Sequence, residues 1–218
     1  MTSKNDKLEK SKNYWLNEPN KFTDLYNTKK ILHLPSKIFL KKRMEIIQKY
    51  LKEDNNATVV DVGCGSGEFA NILKKYYGNV IGIDISDKMI NLARKNSEKN
   101  ITFQINECTN ISLKDNSVDY IFALGLLDYV ENLQNVFFEF KRILKKKGKI
   151  IITIPKNPSL FVPFRWSNKL RYILFDAPPV VNAISKNALI SLIKNNNLEL
   201  KELTSLWTTT WIALIVFN

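Results

Sequence analysis

The chain has 218 residues, 44% of them hydrophobic and 25% charged, which is the composition of a soluble globular domain large enough to bury a full core. Its net charge of +12 invites an anionic partner, yet the lysines are spread over many segments rather than gathered into one block. Two cysteines, Cys64 and Cys108, exclude a disulfide framework and a cysteine metal site. No early apolar run reads as a secretory signal, and Trp211 to Phe217 is too short to span a bilayer, so a reduced cytoplasmic protein is expected.

In chain order, residues 1–20 are polar and read as frayed at the start. Tyr14, Trp15, Phe22, Leu25 and Tyr26 then fall at roughly helical spacing. After Pro35-Ser36 a second amphipathic stretch offers Ile38, Phe39, Ile46, Ile47, Tyr50 and Leu51 as its buried face. From residue 57 the pattern changes to short β-branched runs alternating with helices. Strands are expected at 58–62, 80–84, 101–105, 118–123 and 149–154. Helices are expected at about 66–76, 87–96 and 132–145, the last stopped by a basic turn and Gly148. That alternation argues a doubly wound, mostly parallel sheet.

The rhythm breaks at residues 155–180, which hold five of the seven prolines among Phe161, Phe164, Trp166 and Phe175. A helix at about 185–196 follows, then segments 198–204 and 210–217, read as an antiparallel pair at the sheet edge. The expected division is a helical cap over 1–54 and a ligand-binding domain over 55–218. Within that domain the 155–180 insertion would face the substrate.

The chemistry concentrates at "VVDVGCGSGEFA", residues 59–70. A strand, a glycine turn and a helix place backbone N–H groups at the carboxyl edge of the sheet, where ligands bind in such folds. Gly63, Gly65 and Gly67 alternate, whereas a dinucleotide fingerprint needs Gly-x-Gly-x-x-Gly; there is no phosphate-loop lysine either. Asp61 and Glu68 make the turn acidic, which repels a diphosphate and suits a zwitterionic or cationic ligand. Asp84 ends the next strand, 17 residues beyond Gly67, where a carboxylate can accept from both hydroxyls of a ribose. Glu107 follows a strand further along the same edge and can accept from an exocyclic amine.

Taken in this order, these residues resemble the class I S-adenosylmethionine-dependent methyltransferases over about residues 57–154. Val60 to Gly67 looks like that family's first motif, an acid followed by Gly-x-Gly-x-Gly. Glu107-Cys108 falls where the family usually has Asp-Ala. The resemblance implies a Rossmann-like α/β fold: a doubly wound, mostly parallel seven-stranded sheet with an antiparallel C-terminal edge strand. It implies S-adenosyl-L-methionine as cofactor and no metal, since the methyl is already activated on a sulfonium. It makes Asp61, Gly63, Cys64, Gly65, Gly67, Asp84, Ile85, Glu107, Cys108 and Leu124 candidate cofactor contacts, with Tyr26 reaching in from the N-terminal lid. Spacing alone also fits Tyr14, Trp15 and Tyr26 as plain packing.

Asp128 and Tyr129 follow the fourth strand where many relatives carry histidine. Asp128 is the candidate catalytic base, and a helix cap would equally explain an acid there. Methyl transfer to an O, N or C nucleophile of a small molecule is the leading expectation. Lys156, Arg165, Lys169 and Arg171 against Asp176 favour an acceptor with an anionic group and an apolar body. An RNA acceptor is the alternative prompted by charge, and the run Ala-Leu-Gly-Leu-Leu after the fourth strand argues against a base-amine methylase. Lys37, Lys41, Lys42 and Arg43 beside Ile38 and Phe39 leave peripheral membrane contact open, with a lipid-like acceptor.

Overall fold

The β-branched runs become the centre of a seven-stranded sheet. The computed structural model describes residues 3–17, 34–157, 180–207 and 209–217. Its strands are β1 (Asp54–Val62), β2 (Tyr77–Asp84), β3 (Ile101–Ile105), β4 (Val118–Ala123), β5 (Leu144–Pro155), β6 (Glu199–Leu206) and β7 (Thr210–Val216). They lie in the order β3-β2-β1-β4-β5-β7-β6. The first five are parallel, and β7 runs antiparallel between β5 and β6. The described helices are α1 (Lys4–Asn17), α2 (Leu34–Gln48), α3 (Glu68–Lys74), α4 (Asp87–Asn96), α5 (Leu133–Ile143) and α6 (Lys186–Asn195).

Alternation along each strand splits the core in two. Val60, Ile121, Ile150 and Ile152 pack on one face with Phe137 and Phe140 of α5 and Leu189 and Ile193 of α6. Val59, Phe122 and Ile151 pack on the other with Ile47 of α2, Leu73 of α3 and Ile90 of α4. Chain order reverses between β1 and β4, so the carboxyl end of β1 opens on the crevice where such sheets take their ligands.

Two elements differ from expectation. The polar start is a helix rather than a frayed end. Ser3 Oγ accepts from the Asp6 N–H while Asp6 Oδ2 accepts from the Ser3 N–H, both at 3.1 Å, a reciprocal cap that opens α1. Tertiary contacts then hold it: Lys4 Nζ donates to the Glu131 carbonyl at 3.1 Å, and the Trp15 ring meets Tyr129 edge-on at 5.3 Å.

The second difference is the stop after α5. The helix ends at Ile143 and Leu144 already starts β5, pairing with Val118 before a register shift carries the chain to Lys149 opposite Tyr120. The residue with positive φ is Lys147, at 65°, not Gly148. Gly148 is required by space instead, because a Cβ there would fall 2.7 Å from both Leu144 Cδ1 and the Lys145 carbonyl.

Candidate functional site

All three glycines of the turn are left-handed, with φ of 77° at Gly63, 54° at Gly65 and 89° at Gly67. That conformation is costly for any side chain bearing a Cβ. Two of them are also crowded by the protein itself. A Cβ on Gly63 would press on Leu126 at 3.1 Å, and one on Gly67 would lie 2.5 Å from Ser97 Oγ. The turn's N–H groups are largely spent internally rather than left free. Those of Gly63 and Cys64 donate to the Ile83 carbonyl at 2.7 and 2.9 Å, and that of Gly67 donates to Cys64 at 3.0 Å.

The Gly65 N–H of the turn goes to Asp84. Its Oδ2 accepts from the Gly65 N–H at 3.0 Å and its Oδ1 from the Ser86 N–H at 2.9 Å. One carboxylate thus ties the turn after β1 to the turn after β2. Burial raises its pKa, and the N–H groups of Ser86, Gly65 and Ile85 oppose that shift. A carboxylate accepts about four hydrogen bonds, so capacity for ligand hydroxyls remains. Ile85 beside it is 43% exposed and offers an apolar surface at the sheet edge.

Asp61 sits below, at the end of β1, opposite Gly82 of β2 and Phe122 of β4. It is 2% exposed, and its Oδ2 has no hydrogen-bond partner. Burial first, and the charge of Asp84 next, push its pKa to about 8; Arg43 pulls it down and Glu68 adds a smaller push upward. A buried oxygen without a partner costs free energy, which a positively charged ligand group would recover. Glu68, at the start of α3, takes hydrogen bonds from Ser66 Oγ on both oxygens, at 2.7 and 2.8 Å.

The Cys64 side chain is buried in the core with Phe103 and Phe122, and burial drives its thiol pKa up. Glu107 is exposed at the start of the β3–β4 loop and Cys108 is half-buried beside it, its thiol pushed up to about 12 by burial. Sequence reading missed what holds that loop. Arg142 of α5 donates to both oxygens of Glu139, at 2.8 and 2.7 Å, and to the carbonyls of Leu113 and Ile111, at 2.9 and 2.8 Å. The Arg142 hydrogen bonds hold Glu139 below the usual carboxylate range.

Across the crevice, the segment after β4 carries Leu124, Asp128 and Tyr129, all partly exposed. Asp128 is not the helix cap: Asn132 Oδ1 accepts from the Gln134 and Asn135 N–H groups and caps α5. The Asp128 carbonyl instead accepts from the N–H groups of Val181 and Asn182. Asn182 Nδ2 donates to the carbonyls of Leu127 and Val130, at 3.1 and 2.6 Å, and Thr153 Oγ1 accepts from the Gly125 N–H at 2.7 Å. Neither Asn182 nor Thr153 carries a sequence signal. Arg43, read from the sequence as a surface cation, also reaches this edge: its Nη1 lies 3.5 Å from where a Gly125 Cβ would be. Tyr26 lies outside the described residues, as do Arg165, Lys169, Arg171 and most of the 155–180 segment.

The structure therefore brings Asp61, the glycine turn, Asp84 and Ile85 together at one corner of the crevice, with Arg43 and the Leu124 loop facing them. Residues 60–152 match a family described as a methyltransferase domain. A ubiquinone biosynthesis O-methyltransferase of Rickettsia bellii is 28% identical over 208 residues, 92% of this chain and 83% of that one. A demethylmenaquinone methyltransferase of Tropheryma whipplei is 31% identical over 53% of this chain, which spans only 49% of that protein's length. In fold, the chain matches the crystal structure of an S-adenosylmethionine-dependent methyltransferase from Aquifex aeolicus, with a TM-score of 0.63, 18% identity and full coverage of both chains.

Proposed function

We propose that this protein, a member through residues 60–152 of the class I S-adenosylmethionine-dependent methyltransferases, methylates an oxygen of a small molecule with an apolar body. One observation carries the cofactor half: the buried Asp61 oxygen without a partner, under a turn whose neighbours Asp84 and Glu68 are also acids. A sulfonium-bearing amino acid fits that corner, and a diphosphate does not. The bound cofactor supplies a methyl that is already activated.

The chain's own residues do the rest. Asp84 keeps acceptor capacity for the ribose hydroxyls, Ile85 gives the adenine an apolar seat, and Glu107 accepts from its amine. Asp61 takes the positive end of the methionine part, and the Arg43 guanidinium suits its carboxylate. Gly63, Gly65 and Gly67 shape the turn, with Cys64, Cys108 and Leu124 lining it through backbone and apolar surface. Rate then comes mainly from holding the acceptor oxygen in line. Asp128 is assigned to hold the proton leaving that oxygen. Residues 1–54 form the cap and the 155–180 segment the acceptor wall in this reading. The Rickettsia bellii relative, matched along nearly the whole chain, supports an oxygen acceptor.

Calorimetry should show adenosylmethionine binding and no binding of nicotinamide dinucleotides. Incubation with phenolic and quinol amphiphiles, read by mass spectrometry, should then find an acceptor that gains one methyl. Asp128→Asn should lower kcat while leaving cofactor affinity intact. Dinucleotide binding in place of adenosylmethionine would end this reading; an acceptor methylated on carbon or nitrogen would correct its second half.

A further inference from the structure

Ile38 on α2 and Trp207 at the β6–β7 turn are among the large apolar side chains left most open, at 50% and 49% exposure. They come from distant parts of the chain but belong to one patch. Phe39, next to Ile38, meets the Trp207 ring edge-on at 5.7 Å. Scattered apolar residues on a surface need no explanation, whereas two joined through a third ask for one.

The hairpin presents Trp207 at some cost. Its φ is 48°, a conformation that bulky side chains rarely take. Lys156 fixes the turn, donating from Nζ to Ser205 Oγ and, at 2.9 Å, to the Trp207 carbonyl, while resting 4.1 Å above the Trp211 ring. The rim is basic. Lys41 and Lys42 are exposed on the same side of α2 as Ile38, with Lys37 next to it; the acid on that face, Glu45, is 2.9 Å from Lys42.

The position matters as much as the composition. Pro155, the last residue of β5, pairs with Thr210, which also pairs with Leu206, so the hairpin tip stands at the carboxyl edge of the sheet. Arg43, five residues beyond Ile38, reaches the Gly125 turn of the candidate site. The patch therefore lies beside the mouth of the crevice.

We propose that Ile38, Trp207 and the lysines of α2 dock this protein on an anionic phospholipid surface, with the mouth of the crevice turned toward the lipid. An aliphatic side chain and an indole among lysines match the boundary between acyl chains and acidic headgroups. A second copy of the chain would bring lysines against lysines. RNA would gain little from Ile38, which offers no ring for a base to stack on. No described helix is long and apolar enough to cross a membrane, so contact would be peripheral. Docking itself needs no methyl transfer; only its use, admitting an acceptor with an apolar body from the lipid, rests on the function proposed above.

Sedimentation of the full chain with phosphatidylcholine vesicles, with and without phosphatidylglycerol, tests this. Binding should require phosphatidylglycerol and weaken at high salt. It should fall about tenfold in Lys41→Glu/Lys42→Glu and in Ile38→Ser, and persist in Lys41→Arg/Lys42→Arg. Trp207→Ser should act like Ile38→Ser. Thermal midpoint and adenosylmethionine affinity, measured on each variant, separate lost docking from lost fold and from failure of the methyltransferase reading. Failure of the unaltered, cofactor-binding protein to sediment with anionic vesicles overturns the proposal, as does binding that the Glu and Ser variants leave unchanged. Tighter binding of a single-stranded RNA through the same residues reassigns the patch to nucleic acid.

Discussion

The two walls of the crevice are built differently. On the β1–β2 side, the groups that shape the site lie within 26 residues of one another, from Asp61 to Ser86, and hold each other: Gly63 and Cys64 to Ile83, Gly65 and Ser86 to Asp84. On the β4 side, the loop from Leu124 to Val130 is held by side chains far away in the chain, Thr153 and Asn182, and covered by Trp15. A wall that supports itself suits a ligand that never changes. A wall held from outside can be reshaped by changing its supports, which suits the partner that differs between enzymes of one fold.

The sharpest way to break that contrast is at Asp84. Asp84→Ala removes two hydrogen bonds from N–H groups to a carboxylate, each worth about 1.5–3 kcal/mol, together with any bond to ligand hydroxyls. Both turns of the self-supporting wall should loosen at once. Adenosylmethionine affinity, read by calorimetry, should fall at least about tenfold, with the chain still folded by circular dichroism. Unchanged affinity would show that the wall does not depend on this residue.

A smaller effect is expected across the crevice. Asn182→Ala leaves the Leu127 and Val130 carbonyls without their donor, a cost of about 1–2 kcal/mol. The loss should appear as a higher KM for the acceptor and a lower thermal midpoint, while adenosylmethionine affinity changes less than about twofold. An equal loss of cofactor affinity would mean that the walls are coupled and the contrast is false.

The same difference explains what could be read from the sequence. The parallel sheet was legible because its strands are runs such as Val59-Val60 and Ile150-Ile151-Ile152, buried on both faces. The glycine turn and Asp84 were legible because their interaction is local. The polar beginning of β1 was not: Asp54 joins the sheet by pairing with Tyr77, and a Cβ on Gly78 would strike the Asn55 carbonyl there. Nor was α1, whose stability comes from a cap and from Tyr129 and Glu131, more than a hundred residues away. Arg43 read as one cation in a basic run, because only the packing of α2 brings it to Gly125. Crowding at the turn was not legible either: left-handed backbone and the neighbours Leu126 and Ser97 require glycine at 63 and 67 before any ligand is considered.

The smallest effect concerns a proton. Asp61 titrates at about 8 in the free protein because burial and Asp84 outweigh Arg43, so at pH 7 it is mostly protonated. Its folded pKa lies above the usual carboxylate value. The stability it contributes is therefore full below about pH 4 and is lost as pH rises toward 8, the reverse of an ion-paired carboxylate. Asp61→Asn should remove that share of the decline and raise the thermal midpoint of the free protein at pH 8 relative to the unaltered chain. Binding supplies the second reading. If a cationic group of adenosylmethionine settles on Asp61, the carboxylate ionises and close to one proton leaves at pH 7, fewer as pH rises past 8. Calorimetry in two buffers of different ionisation enthalpy counts that proton directly, and Asp61→Asn should abolish it. Proton release that survives in Asp61→Asn would move the titrating group to Asp84, whose pKa burial also raises, and with it the seat of the ligand's positive charge.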